Sequence, residues 1–320
     1  RKDILIQRNT IPTMTGLRTN PLQNCGIVTN KGIDGNVTLK EHVGKLNMTL
    51  RGNFTYTKNK IVDYDEISHA YSYQDYTGRT IGTPLLYIAE GLYTPDDFDI
   101  SQNPVTGANS YTLKNGLPNP GAQVAPGDIK YKDINNDGMI DGDDRTYKHN
   151  VNSSNPKVVY GIALDLEYKG FFAGIFFQGA DGCSVNLMNK ASNFMPFNQG
   201  KDASSARMEA MSRWTTSDPY NQSVLYPRMH ASQFSYNLRG STWWYRDASF
   251  IRLKNVEFGY QFNKHQLKAI RFQNLRIYVQ GSNLALWDHV KYWDPELGDA
   301  NSGARYPISR TWTAGVEVTF

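Results

Sequence analysis

The sequence predicts an all-β fold: a transmembrane antiparallel β-barrel, to which these 320 residues give about eight strands and several long external loops. Three observations predict it. Apolar and polar residues alternate strictly over segments of 10 to 13 residues, longer than ordinary soluble strands and long enough for a tilted crossing of a hydrocarbon layer. Short and long connections alternate along the chain. Mean hydropathy is −0.55 and no apolar run approaches 18 residues, which excludes a membrane helix. A barrel survives that test, because each strand turns only every second residue to lipid.

The strands fall near residues 1–8, 26–41, 45–61, 157–169, 171–187, 249–262, 274–286 and 310–320. The chain opens on Arg1-Lys-Asp-Ile-Leu-Ile, already strand-like, which suggests a fragment of something longer. In the third strand Leu46, Met48, Leu50, Phe54 and Tyr56 share one face, against Asn47, Thr49, Arg51, Asn53 and Thr55. In the fourth, Val158, Ile162, Leu164 and Leu166 oppose Asp165 and Glu167, with Tyr160 and Tyr168 placed for an interfacial aromatic girdle. Phe171 to Phe177 is apolar on both faces and leaves its facing open. The apolar phase slips at Asn255, which reads as a bulge. Trp312, Ala314, Val316, Val318 and Phe320 line one face of the last strand.

The turns at 42–45 and 169–170 are tight and the link 263–273 is modest, whereas 62–156, 188–248 and 287–309 are long. Short turns on one side and long loops on the other are the asymmetry of an outer-membrane barrel. The net charge of +4 is modest, and no basic run or basic–aromatic interleaving argues for nucleic acid. Cys25 and Cys183 read as two unrelated buried thiols. No histidine shows metal spacing and no hydrolase motif occurs, so an enzyme is the least supported class.

One segment carries site chemistry. From Asp133 to Asp144 the chain fits a twelve-residue acidic calcium loop, with side-chain oxygens at Asp133, Asn135, Asp137, Asp141 and Asp144, and the carbonyl of Met139. Gly138 permits the sharp turn and Ile140 is the apolar anchor. Asp144 stands where a bidentate Glu is usual, and no second helix–loop–helix half accompanies it. The expected cofactor is a structural Ca2+ that braces a loop; the bland alternative is a metal-free Asx/Gly turn.

Two resemblances sharpen the reading. The terminal strand, with Gly315, Val318 and Phe320, resembles the closing-strand signal by which outer-membrane barrels are recognised for insertion. The run Pro126-Gly-Asp-Ile-Lys-Tyr-Lys-Asp-Ile-Asn-Asn-Asp-Gly-Met-Ile-Asp141 resembles a hallmark of the SusC/RagA family of TonB-dependent outer-membrane transporters. Asn30-Lys-Gly-Ile-Asp, Gly52-Asn-Phe-Thr-Tyr-Thr-Lys-Asn-Lys-Ile61, Tyr160-Gly-Ile-Ala-Leu-Asp-Leu-Glu-Tyr-Lys-Gly170, Phe176-Phe-Gln-Gly179, Asp247-Ala-Ser-Phe-Ile-Arg-Leu-Lys-Asn-Val-Glu-Phe-Gly-Tyr260, Gly281-Ser-Asn-Leu284, Trp293-Asp-Pro-Glu296 and Tyr306-Pro match in the expected order. The resemblance implies a plugged barrel of 22 strands, of which this is the C-terminal part, without plug or signal peptide. It implies a SusD-like surface lipoprotein as lid, TonB acting through the absent N-terminal part, outer-membrane lipid around the wall, and oligosaccharide or peptide cargo.

Aromatics crowd the loops, and Tyr76, Trp214, Trp243 and Trp244 are the candidates for touching cargo. Packing of loops against one another or against a lid is the stronger expectation for each. Two alternatives remain: a siderophore or cobalamin receptor of the same fold, and a soluble calcium-dependent β-sandwich lectin or adhesin.

Overall fold

The period-two segments fold into long strands because each one satisfies its backbone only through neighbours, and antiparallel hairpins are the shortest way to supply them. The computed structural model describes residues 1–188, 208–230, 234–267, 272–298 and 306–319. In chain order the strands are β1 (Ile4–Gln7), β2 (Leu22–Val43), β3 (Leu46–Asp63), β4 (Ala89–Leu92), β5 (Phe98–Gln102), β6 (Asn109–Leu113), β7 (Ile129–Tyr131), β8 (Val158–Tyr168), β9 (Phe171–Asp181), β10 (Ser184–Asn186), β11 (Tyr245–Asp247), β12 (Phe250–Phe262), β13 (Asn274–Asp288) and β14 (Thr311–Thr319).

Eight of them form one open antiparallel sheet in the order β1-β2-β3-β8-β9-β12-β13-β14, so strands adjacent in this wall also follow one another along the chain. This is a meander whose two edges do not meet, as in part of a larger barrel. The links 44–45 and 169–170 close two-residue hairpins, with Gly44, Lys169 and Gly170 at positive φ. Residues 264–267 form a single helical turn in the third link on that side. The opposite ends carry the long loops.

Register turns the alternation into two chemically different faces. One continuous rung runs Leu39–Leu50–Leu164–Ile175–Val256–Gly281–Trp312. The rung beside it runs Lys40–Thr49–Asp165–Gly174–Glu257–Gln280–Thr313. Among the described residues the apolar face stands open: Phe258 is 57% exposed and Trp312 66%. The polar face lines a cavity of about 870 Å³, bounded by Lys40, Thr49, Arg51, Asp165, Glu257 and Arg276. Arg51 reaches Asp165 at 2.6 Å, and Arg276 reaches Glu257 at 2.5 Å and Glu317 at 3.8 Å.

Two sequence expectations are corrected. The strand expected over 171–187 ends at Asp181, because Gly182 turns at φ +71° and β10 pairs instead with β11. The long loops therefore run from 64 to 157 and from 182 to 249 rather than over 62–156 and 188–248. Of the two cysteines, both free, Cys183 is buried and Cys25 only half-buried. The expected phase slip in β12 is present: its register shifts between Leu253 and Asn255 against both neighbours.

Most of the fully buried side chains lie outside the wall. Tyr93, Phe98, Ile129, Tyr131 and Ile140 of the first long loop pack with Val185, Trp214, Tyr226, Tyr236 and Trp244 of the second, and with Val290 of the third. The loops thus share one apolar core and form a layer over one end of the sheet.

Candidate functional site

The loop layer is built around Asp128, which has no exposed surface. Its carboxylate accepts hydrogen bonds from Arg228 (Nε 3.2 Å, Nη2 2.8 Å), His230 Nε2 (2.8 Å), Asn237 Nδ2 (2.9 Å) and the Ala125 backbone N–H (2.9 Å). Burial pushes the carboxyl up, but the His230 and Arg228 hydrogen bonds and the Arg228 charge outweigh it, and the net shift is downward. One side chain of the first long loop thereby fixes three of the second. Asp128 is not among the residues that the sequence pattern singles out, although it lies within the Pro126–Asp141 run. The usable signal was a carboxylate directly after the apolar run Val124-Ala-Pro-Gly127, which demands a partner if that run is buried.

Gly127 shows why that turn is glycine. It sits at φ +90°, and a Cβ there would fall 2.2–2.7 Å from the Trp214 ring. Gly127→Ala should cost about 3 kcal/mol, combining left-handed strain with displacement of the indole. Thermal unfolding and Trp fluorescence read this out, and an unchanged melting curve would remove the close approach as a constraint.

The acidic loop follows directly. Asp133 accepts from the backbone N–H of Asn136 (2.7 Å) and Gly138 (2.9 Å), Asp137 from Met139 (2.8 Å), and Asp141 from Asp143 (2.8 Å). Asn135 Oδ1 accepts from the Asp137 N–H at 3.1 Å. Both Asp144 oxygens accept backbone N–H groups, from Ile134 at 2.7 Å and Asp141 at 2.9 Å. Asp144 is fully buried; burial raises its pKa, the two hydrogen bonds lower it and the Asp133 charge raises it, with a net rise. Ile140 plugs into the loop core as an anchor should, while Tyr73 Oη and Gln74 Nε2 hold the carbonyls of Asp143 and Gly142. The six oxygens are of the kind a hard cation takes. Among the described residues, though, no three acidic, histidine or cysteine side chains gather as a metal group.

The aromatic candidates separate by burial. Trp214 and Trp244 lie in the loop core, 7% and 1% exposed, with their indole N–H groups donating to Pro219 and Asn237 carbonyls. Their rings pack within the loop core, the stronger of the two expectations for them. Tyr76 is partly buried between Tyr64 and Tyr147, and its Oη accepts from the Gly82 N–H at 2.9 Å. Trp243 is half-buried and lines a cavity beside Arg246, a residue the sequence reading did not single out. In the last strand, Gly315 lies under the Tyr278 ring, where a Cβ would meet it at 2.4–2.7 Å, and Val318 pairs with Leu275. Phe320 lies outside the described residues.

No protein-family model matches the chain. Curated relatives do. It is 28% identical to TonB-dependent receptor P26 of Formosa agariphila, over 97% of this chain and 31% of that protein. It is 25% identical to TonB-dependent receptor P3 of the same organism, over 100% of this chain and 31% of that one. To TonB-dependent receptor SusC of Bacteroides thetaiotaomicron it is 22% identical, over 100% and 29%. The chain thus spans about a third of the length of the curated relatives it matches. Its fold is similar to the RagAB peptide transporter, with TM-score 0.65 at 19% identity over 100% of this chain and 32% of that one. The RagAB peptide importer in its open-open state gives 0.64 at 17% identity, over 100% and 31%. Whole-chain relatives named as TonB-dependent receptors and an open wall that follows the RagAB fold agree: the chain is similar over its whole length to TonB-dependent receptors, SusC among them, and has the fold of part of such a β-barrel.

Proposed function

We propose that the receptor containing this chain imports oligosaccharide or oligopeptide nutrients across the bacterial outer membrane, driven through TonB and working with a SusD-like surface lipoprotein. The observation that carries this reading is the two-faced wall, apolar outside and charged within, with a thick loop layer at one end only. A wall of this kind makes and breaks no bonds. It pairs every internal backbone group, as lipid requires, and leaves a polar passage on its concave side. Uptake of labelled oligosaccharides and oligopeptides by cells with and without this receptor, and with and without TonB, tests it. Uptake that survives loss of both would sink the reading.

The acidic loop is proposed to take up calcium as a brace. Support comes from its oxygen donors and from the buried Asp144, which no cationic side chain pairs among the described residues. Asp137→Ala should then speed proteolytic cutting within residues 126–145, as should a chelator acting on the unaltered protein. Identical cutting under all conditions would assign the loop to its backbone hydrogen bonds alone.

A further inference from the structure

A cavity of about 400 Å³ opens between β4, the segment around Gln222 and the stretch leading into β11. Its walls are fixed. Both ends of the Gln222 amide bond the Leu92 backbone, at 2.7 Å and 3.3 Å. Thr242 Oγ1 accepts from the Ala89 N–H at 2.9 Å, and the Trp243 indole donates to the Leu225 carbonyl at 3.2 Å. A half-buried indole is therefore held against the cavity without freedom to leave it.

Two charges line the same space. Arg246 Nη1 donates to the carbonyls of Trp243 (2.7 Å) and Tyr245 (2.9 Å), and no carboxylate pairs the guanidinium among the described residues. Burial works against its charge more strongly than nearby Tyr292 favours it. Glu90 stands exposed at the mouth, also without an ion pair among the described residues. A partly desolvated guanidinium with donors to spare is a strong, geometry-selective acceptor of a carboxylate. Rigid walls reduce the ordering cost of filling the space.

We propose that this cavity is a cargo subsite for the carboxyl end of an oligopeptide, with the terminal carboxylate on Arg246, an apolar side chain on Trp243 and amino groups facing Glu90. The assignment rests on the import reading above and selects peptide over glycan within it. A neutral sugar would leave the Arg246 charge unmatched, and an acidic sugar would meet Glu90 as a like charge. Only a ligand carrying both signs answers both residues.

The test uses the whole receptor with its partner in detergent, and binding measured by calorimetry. The probes are a tripeptide with central phenylalanine, its C-terminal amide, a neutral trisaccharide and a trigalacturonate. The unaltered receptor should bind the free acid at least about tenfold more tightly than the amide, one charge-assisted contact's worth. Arg246→Gln should erase that difference and Arg246→Lys should restore part of it. The acid–amide comparison needs no variant, so it stands even if Arg246→Gln fails to fold. Equal binding of acid and amide overturns the proposal, as does a receptor that takes trigalacturonate through Arg246 and ignores the peptide. In either case TonB-dependent uptake, measured separately, shows whether the import reading itself has failed.

Discussion

Asp128→Ala should detach the two long loops from each other and destabilise the loop layer by about 3–5 kcal/mol, the cost of leaving a buried ion-pair partner uncompensated. Arg228, His230 and Asn237 would lose their shared acceptor, and the Ala125 N–H would be orphaned in the same stroke. Limited proteolysis should then cut within 64–157 and 182–249 while the sheet persists in detergent. Loops as resistant as before would show that the apolar core alone holds them. The same carboxylate makes the layer acid-sensitive. Its folded pKa lies below the ordinary 3.8, so its stabilising effect is complete above that value and is lost as pH falls through the lower folded one. Loop protection in the unaltered receptor should therefore fall away below about pH 4, and the Asp128→Ala receptor should lack that part of the transition.

Leu164→Arg should impair assembly by about 2–4 kcal/mol if it lies near the bilayer midplane, because its rung carries only apolar or glycine positions from Leu39 to Trp312. The neighbouring rung supplies the control. Thr49→Arg adds the same charge on the polar face, against the 870 Å³ cavity, and should reach the membrane in normal amounts. Folded yield in outer membranes, compared for the pair, reads out the facing directly. Equal yields would mean that this stretch of wall does not contact lipid.

The wall was legible in the sequence because strand facing is a local property. Each residue's side follows from the parity of its neighbours, so the eight strands of the wall and the slip near Asn255 could be found without tertiary information, although Phe171 to Phe177, apolar on both faces, left its side open. The loop layer was not legible in this way. β4 and β7 have four and three residues and pair across a gap of 36 positions, between Leu92 and Ile129; nothing local marks either as a strand. The segment 184–186 follows β9 after only two residues, and the turn at Gly182 together with its pairing to 245–247 separates them. Asp128 is matched by Arg228, 100 positions away, a relation that periodicity cannot express. The acidic loop was legible as a calcium-type spacing with Ile140 as its apolar anchor, and Ile140 is buried in the loop core. Where its carboxylates point depends on backbone N–H groups, which the one-letter pattern does not display.

The phase slip in β12 has a consequence for how this protein tolerates changes in length. Leu253 and Val256 both face outward, so Lys254 is an extra residue in the strand, and its Nζ instead reaches Glu296 at 2.7 Å, beside the Arg252–Asp294 pair. Deleting Lys254 would restore plain alternation against β9, where Leu253 and Asn255 pair with the adjacent Phe177 and Phe176, and would widen the mismatch with β13, where the same two residues pair with Ala285 and Ser282. The lipid bilayer would be blind to such a deletion, while the third long loop would lose one of its moorings to the wall. A single residue thus answers to two neighbours: the lipid outside sets the strand's rhythm, and the loop above it sets the exception.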